Sequence, residues 1–174
     1  ISREHTVRVA RSGLVTVTGG KWTTYRAMAE DVLAHCVDSG RLAALGPSRT
    51  AGLKLVGADL PAGSAPVAIS QPQGLHSYGA EAPLLASLPG AERPLAPGLT
   101  EAMVRFAARH EYARTVEDVL ARRCRLLFLD AAQAARAAPA VAAVLQDELG
   151  RDAAQAPFEQ LAAAYAQQDA TAGA

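Results

Sequence analysis

Gly19-Gly20-Lys21-Trp22-Thr23-Thr24-Tyr25-Arg26 is the stretch that decides the fold of this 174-residue chain. Before this octet, residues 14–18 (LVTVT) alternate apolar and hydroxyl side chains, which is the pattern of a half-buried strand. After it, apolar residues recur at helical spacing, at Tyr25, Met28, Ala29, Val32, Leu33 and Cys36. The octet therefore predicts a turn from a strand into an amphipathic helix.

A turn of this kind can bind a ligand, because the first amides of a helix lack internal partners and its N-terminus is positive. Gly19 and Gly20 leave the backbone bare for a planar or anionic group. Thr23 or Thr24 can cap the helix, and Lys21 adds a mobile charge. Spacing alone favours the simpler alternative, in which the glycines only close a tight turn and Lys21 is solvated, since such turns are common.

The residues on either side extend this prediction. Residues 5–9 (HTVRV) have a strand pattern, and Arg11-Ser12-Gly13 predicts a turn, so an antiparallel hairpin leads into the octet. The helix after the octet is expected to end near Ser39-Gly40. Prolines and glycines then interrupt every period, leaving only short strand candidates at 51–55 and 66–69. We interpret this stretch as a connector across a domain boundary.

From residue 75 onward the patterns predict a series of helices. Thr100 is placed to cap a helix, and Thr115 with Asp118 forms an approximate capping box for the next one. The apolar stripe of that second helix is expected to continue to Phe128. Asp130 is placed to cap a following alanine-rich helix.

Composition excludes several classes of protein. Half of the residues are hydrophobic, with alanine supplying much of that share, which indicates a folded and helical chain. Seventeen basic and seventeen acidic side chains cancel, so no basic field favours nucleic acid as a partner. Cys36 and Cys124 form no CxxC motif, so neither a disulfide framework nor a metal site is indicated, and the compartment is expected to be reducing.

The beginning of the chain points to a longer gene product. Ile1-Ser2-Arg3 includes no initiator methionine, and no signal peptide follows it. No stretch approaches the twenty or so apolar residues that cross a bilayer. We therefore expect this chain to be part of a larger protein.

Two blocks of the sequence resemble a known family. Residues 2–5 (SREH) together with 12–31 (SGLVTVTGGKWTTYRAMAED) resemble the closing segment of the flavin domain in FAD-dependent glycerol-3-phosphate dehydrogenases. Residues 109–123 and 125–130 resemble the helical C-terminal domain of the same family, and the two blocks occur in the family's order. The resemblance is weak from about residue 40 to 70 and over the last twenty or so residues.

The resemblance implies an activity and a set of site residues. Family members oxidise sn-glycerol 3-phosphate to dihydroxyacetone phosphate and pass the electrons through FAD to quinone. The implied cofactor-binding residues are Gly19, Gly20, Lys21, Trp22, Thr23 and Thr24, and the implied substrate-binding residues are Arg3 and Lys21. The start of the helix would face the edge of the flavin on which reduction places negative charge. No catalytic residue or metal ligand is assigned, and neither His110 nor the arginines between 109 and 125 receive a role.

The expected fold class is mainly α, a multi-helix C-terminal domain preceded by a strand-turn-helix remnant of an α/β FAD domain. Residues 1–39 are the tail of the FAD and substrate domain, 40–74 the connector, and 75–174 a helical cap domain. No GxGxxG follows a strand, so the unit that grips a dinucleotide is absent from these residues. The fragment alone is therefore expected to be inactive and without bound FAD.

The family also implies partners and a location for the complete protein. These are sn-glycerol 3-phosphate, quinone and the chain's own N-terminal FAD domain, at the cytoplasmic face of a bacterial inner membrane; a homo-oligomer is compatible with this picture. Two alternatives stay open at this point. One is a free-standing helical adaptor without a redox role, and the other is a related FAD-dependent amino-acid or 2-hydroxy-acid oxidase.

Overall fold

The computed structural model describes residues 4–68, 70–71 and 73–172, with side chains as far as Gln167. It divides into two compact units, Ile1–Lys54 and Leu55–Ala174. Helices make up 53% of the structure, and the described strands form only two-stranded sheets. The expected fold class, a mainly α chain that begins with a short hairpin, is confirmed.

The N-terminal unit has the predicted strand-turn-helix order. Strands β1 (His5–Val9) and β2 (Val15–Gly19) pair antiparallel, with His5 opposite Gly19. A short 3-10 turn at Trp22–Thr24 leads into helix α1 (Tyr25–Asp38). Gly40 follows the helix with a φ of 69°, the left-handed conformation in which glycine commonly ends a helix.

This unit lacks a closed core. None of its described residues, 4–54, is fully buried. On α1, Met28, Val32 and Cys36 are half-buried, whereas Tyr25 and Leu33 of the same predicted stripe stay exposed. An amphipathic helix normally buries its whole apolar stripe, so part of the stripe on α1 has no cover in this unit.

The connector differs from the prediction. The strand expected at 51–55 is absent from the described residues there, and a 3-10 turn spans Thr50–Gly52 instead. Its backbone turns because the amides of Gly52 and Leu53 donate to the carbonyls of Arg49 and Thr50. Residues 66–68 form no strand either, and Ile69 lies outside the described residues.

The helical unit holds the hydrophobic core. Its elements are a 3-10 segment at Leu75–Glu81, helix α2 (Ala82–Ala86), strands β3 (Pro94–Ala96) and β4 (Leu99–Thr100), helix α3 (Glu101–His110), a π-helical segment at Asp118–Arg123, and helices α4 (Leu126–Leu129), α5 (Ala131–Leu149) and α6 (Gln155–Ala172). The largest fully buried side chains are Phe106, Phe158, Leu85, Leu120, Leu127 and Leu145. Burial of such aliphatic and aromatic surface is the dominant stabilising term in a unit of this size.

The helix ends in this unit follow the predicted capping residues. Thr100 Oγ1 accepts from the Met103 amide at 3.4 Å, and Asp130 Oδ1 accepts from the Gln133 amide at 2.8 Å. Thr115 and Asp118 exchange bonds, since Thr115 Oγ1 accepts from the Asp118 amide and Asp118 Oδ2 accepts from the Thr115 amide. This is the reciprocal geometry of a capping box.

Two details of the helical unit were not predicted. The expected helix from Thr115 to Phe128 is interrupted, because Arg125 adopts a left-handed conformation with a φ of 59° and α4 starts after it. The break turns Phe128 away from the core and leaves it half exposed. The prediction that Phe128 belongs to the buried apolar stripe is therefore wrong. The β3–β4 hairpin was missed because its strands contain only three and two residues, too short for a periodicity to show.

Candidate functional site

Gly19 and Gly20 form a turn that requires glycine. Their φ angles are 78° and 87°, which L side chains rarely adopt. A Cβ on Gly19 would lie 2.5 Å from the Glu4 carbonyl oxygen, and one on Gly20 would overlap the Met28 side chain. The Gly20 amide also donates to Glu4 O at 3.3 Å. The tight packing of the chain at this turn therefore explains why both positions require glycine. What the two glycines can offer a ligand is a backbone without side chains.

Lys21 lies at the exit of this turn in extended backbone, and its side chain is exposed. Thr24 occupies the residue before α1, but its hydroxyl donates to the Lys21 carbonyl at 3.1 Å. Neither Lys21 nor Thr24 makes a side-chain cap, which corrects the expectation that a threonine caps this helix. The 3-10 turn places the Thr24 hydroxyl over that carbonyl, so the first amides of the helix receive no bond from it.

Trp22 and Tyr25 add an exposed aromatic pair. Their rings stack with centroids 5.4 Å apart, and the two side chains are 85% and 55% exposed. Aromatic side chains of this size are normally buried to a large extent, and clustered exposure marks an interaction surface. We name the exposed group of Lys21, Trp22, Thr23, Thr24 and Tyr25 the turn surface.

The turn surface suits an anionic, planar group. It combines a cation, two hydroxyls, an aromatic stack and the positive start of a helix, next to the backbone of Gly19 and Gly20, which carries no Cβ. Of the predicted site residues, the structure brings together Gly19, Gly20, Lys21, Trp22, Thr23 and Thr24. Arg3, the predicted partner of the substrate phosphate, lies outside the described residues.

Sequence reasoning missed a side-chain hydrogen bond beside the turn. His5 Nε2 lies 2.8 Å from Asp31 Oδ2, joining β1 to α1. His35 Nδ1 approaches the same residue, 2.9 Å from Asp31 O and 3.3 Å from its Oδ1. His5 pairs with Gly19 in the hairpin, which puts its imidazole beside the turn, but the sequence offered no signal for the contact with Asp31.

A second polar cluster fixes the start of the connector to α1. The Glu30 carboxylate accepts from Ser48 Oγ at 2.6 Å and Thr50 Oγ1 at 3.1 Å, and it also pairs with Arg26. The Ser48 hydroxyl is the largest cause that lowers the pKa of Glu30 below its usual value. The cluster is exposed and internally paired, so it offers no separate ligand site.

The arginines between 109 and 125 are largely engaged inside the helical unit. Arg109 binds Glu148 through two nitrogens at 2.6 and 2.7 Å. Arg122 pairs with Glu117 and Asp118, and Arg123 with Glu111. Arg114 donates to two backbone carbonyls. These contacts occupy Arg109, Arg114, Arg122 and Arg123 within the helical unit, which indicates a structural role for them.

Other candidate chemistry is limited. His110 is exposed at the end of α3, and its ring lies tilted against that of Phe106 with centroids 4.7 Å apart. Cys36 and Cys124 are free thiols, and burial raises the pKa of Cys124. Within the described residues no group of three or more histidine, cysteine or acidic side chains could hold a metal ion.

None of the helices in the described part of the chain has the length and apolar character needed to span a bilayer.

Comparison with known proteins gives a consistent answer. Residues 48–156 match the family described as the C-terminal domain of alpha-glycerophosphate oxidase. The chain is 37% identical to a mitochondrial glycerol-3-phosphate dehydrogenase of Arabidopsis thaliana, over 85% of this chain and 28% of that protein. It is 38% identical to the mitochondrial glycerol-3-phosphate dehydrogenase of Homo sapiens, over 87% of this chain and 23% of that protein.

A probable mitochondrial glycerol-3-phosphate dehydrogenase of Dictyostelium discoideum is 35% identical over 81% of this chain. The chain thus spans about a quarter of the length of the curated relatives it matches. No solved structure matches it.

Proposed function

The chain belongs to the family of the C-terminal domain of alpha-glycerophosphate oxidase, with glycerol-3-phosphate dehydrogenases among its relatives, and from this premise we propose what the complete protein does. It is an FAD-dependent oxidoreductase that converts sn-glycerol 3-phosphate to dihydroxyacetone phosphate. The relatives named for glycerol 3-phosphate favour this substrate over the amino-acid and 2-hydroxy-acid alternatives.

One observation supports the proposal that the flavin lies against the turn surface. The turn surface is exposed on a unit in which none of the described residues 4–54 is fully buried. Leaving the stacked rings of Trp22 and Tyr25 in water is unfavourable, since burial of a large aromatic ring lowers the free energy of the protein. The proposal is that the upstream FAD domain and its flavin cover this surface in the complete protein.

Lys21, the start of α1, the two glycines and Arg3 then have distinct tasks. FAD supplies the capacity to take two electrons as hydride from the substrate carbon. Lys21 would provide a positive charge beside the edge of the flavin on which reduction places negative charge. The start of α1 would add the positive end of the helix dipole there. Gly19 and Gly20 keep the backbone free of side chains there. Arg3, two residues before His5, is proposed to grip the substrate phosphate, for which a guanidinium has the right shape.

The helical unit is proposed to act as a scaffold that caps the FAD domain. Its arginines and carboxylates largely pair with one another inside the unit. We also propose that the complete protein passes electrons to quinone and that it attaches peripherally to a bacterial inner membrane. Both rest on the family.

The test is a flavin spectrum of the complete gene product. Under anaerobic conditions, sn-glycerol 3-phosphate should bleach the flavin absorbance, and a soluble quinone analogue should restore it. Glycine and 2-hydroxyglutarate, added at the same concentration, should leave the spectrum unchanged. A product without bound flavin, or one reduced only by glycine or 2-hydroxyglutarate, would contradict the proposed function.

A further inference from the structure

The turn surface is held by a junction of three elements. β1 supplies His5, and Glu4 just before it supplies its carbonyl; β2 ends at Gly19, and α1 supplies Met28 and Asp31. Gly20 is enclosed between the first and third of these, because a Cβ there would lie 3.4 Å from the His5 Cβ and would overlap Met28. The position of Lys21 therefore depends on how the hairpin sits against α1.

One side-chain bond crosses this junction close to the turn. His5 Nε2 and Asp31 Oδ2 are 2.8 Å apart, and the two side chains are only partly exposed. His5 lies directly opposite Gly19 in the sheet, and Asp31 is one helical turn beyond Met28. The hydrogen bond between His5 and Asp31 therefore restrains the angle between the hairpin and α1. That angle sets the orientation of the turn at Gly19–Lys21.

We propose that His5 and Asp31 are a positioning pair that holds the Gly19–Lys21 turn in the geometry required for oxidation of the substrate. The inference rests on the proposed function and deepens it. Neither side chain reacts; the pair acts through the placement of Lys21 and the start of α1. Such placement matters because a displacement of about 1 Å in a catalytic group costs on the order of a hundredfold in rate.

The other groups around Asp31 define a matched control. His35 also contacts Asp31, from one turn further along the same helix, at 3.3 Å between Nδ1 and Oδ1. It lies on α1 and not on the hairpin, so its bond leaves the junction between the elements untouched. Two histidines thus meet one carboxylate, and the proposal assigns a positioning role to His5 alone.

The experiment uses the complete flavin-loaded protein. His5→Ala, Asp31→Ala, the double variant, His5→Gln and His35→Ala are compared by kcat and KM for sn-glycerol 3-phosphate, expressed per bound flavin, and by melting temperature. His5→Ala and Asp31→Ala should each lower kcat by about tenfold or more, and the double variant should be no worse than either alone, because both remove the same bond. His5→Gln, which keeps a donor of similar reach, should recover a large part of the rate. His35→Ala should resemble the wild type.

Several results would overturn the pairing. These are a kcat per bound flavin within twofold of wild type for His5→Ala, effects that multiply in the double variant, or a loss confined to melting temperature and flavin content. If His5→Ala does not fold, His5→Phe, which keeps a ring but removes the donor to Asp31, takes its place and is judged by the same criteria. A wild-type protein that sn-glycerol 3-phosphate cannot reduce would instead refute the proposed function, so the two failures are distinguishable.

Discussion

Arg105 Nη1 donates to Glu148 Oε1 across 2.6 Å and so ties α3 to α5 in the helical unit. The Glu148 side chain is only 8% exposed and also accepts two bonds from Arg109. On its other side Arg105 binds Glu101, which is 5% exposed. The paired charges are the reason that two carboxylates can lie within a helical core.

Glu148→Gln should lower the free energy of unfolding by about 1–3 kcal/mol, because Arg105 and Arg109 lose the charge of their shared partner while staying partly buried. Urea denaturation of the 174-residue chain at neutral pH measures this. Asp147→Asn is the matched control, since Asp147 also pairs with Arg105 but is mostly exposed and should cost less than about 1 kcal/mol. Equal effects of the two variants would contradict the account.

The same pair predicts a pH dependence. Hydrogen bonds from Arg109 lower the pKa of Glu148 in the folded chain, with burial opposing them and Arg105 adding to them. Because the pKa of Glu148 is lower in the folded chain than in the unfolded chain, where it is near 4.5, ionised Glu148 stabilises the fold above pH 4.5. This stabilisation is lost as the pH falls through the pKa of the folded chain. The difference in unfolding free energy between wild type and Glu148→Gln should therefore shrink between pH 6 and pH 3. A difference that stays constant over this range would refute the assignment.

Leu127 and Leu129 offer a comparison of core and surface within α4. Leu127 is 2% exposed and Leu129 is 80% exposed. Leu127→Ala should cost about 2–5 kcal/mol through lost burial and a new cavity, whereas Leu129→Ala should stay within about 0.5 kcal/mol of wild type. Thermal or urea unfolding of both variants checks which face of α4 is buried, and similar losses for the two variants would contradict this burial.

Gly79 tests the backbone of the segment before α2. Its φ and ψ are 57° and −128°, and a Cβ there would overlap the Gly57 carbonyl. Gly79→Ala should lower the unfolding free energy by about 2–4 kcal/mol. Gly63 also has a positive φ but nothing within 4 Å of its Cβ position, so Gly63→Ala should cost only about 1 kcal/mol. Similar losses at both positions would show that the close contact at Gly57 has no energetic weight.

Arg114 distinguishes a scaffold from a substrate site in the helical unit. It donates to the carbonyls of Ala108 and Ala113 and lies 3.9 Å from the centre of the Tyr112 ring. Arg114→Ala should lower the unfolding free energy by about 1–2 kcal/mol and leave the KM for sn-glycerol 3-phosphate in the complete protein within twofold. Arg136→Ala, on the exposed face of α5, should change neither quantity. A raised KM with unchanged stability would contradict the scaffold role.

Much of the fold could be predicted because local sequence determines it. The caps at Thr100, Thr115 and Asp130 use side chains that bond amides three residues ahead, so the sequence spacing suffices to identify them. The break at Arg125 could not be predicted, because a non-glycine residue with positive φ is stabilised by its surroundings and not by its own preference.

The candidate site shows the same limit. The glycine pair and Lys21 stand out in the sequence, and the structure forms the turn that they predict. The bond between His5 and Asp31 joins residues 26 positions apart, and no local pattern reports a contact that depends on how a hairpin packs on a helix. The cap expected from Thr24 failed for a related reason, since the hydroxyl found a nearer acceptor in the Lys21 carbonyl.

The central claim is that the turn surface meets substrate and flavin in the complete protein, and Lys21→Ala tests it most directly. Anaerobic stopped-flow reduction of the bound flavin by sn-glycerol 3-phosphate is the measurement, with Lys54→Ala as the control at the chain's other lysine. The account predicts that Lys21→Ala retains flavin but that its flavin is reduced at least a hundredfold more slowly than that of the wild type. This is roughly the loss expected when one charge that stabilises a transition state is removed. The flavin of Lys54→Ala should be reduced at the wild-type rate. Reduction of Lys21→Ala at the wild-type rate would contradict it.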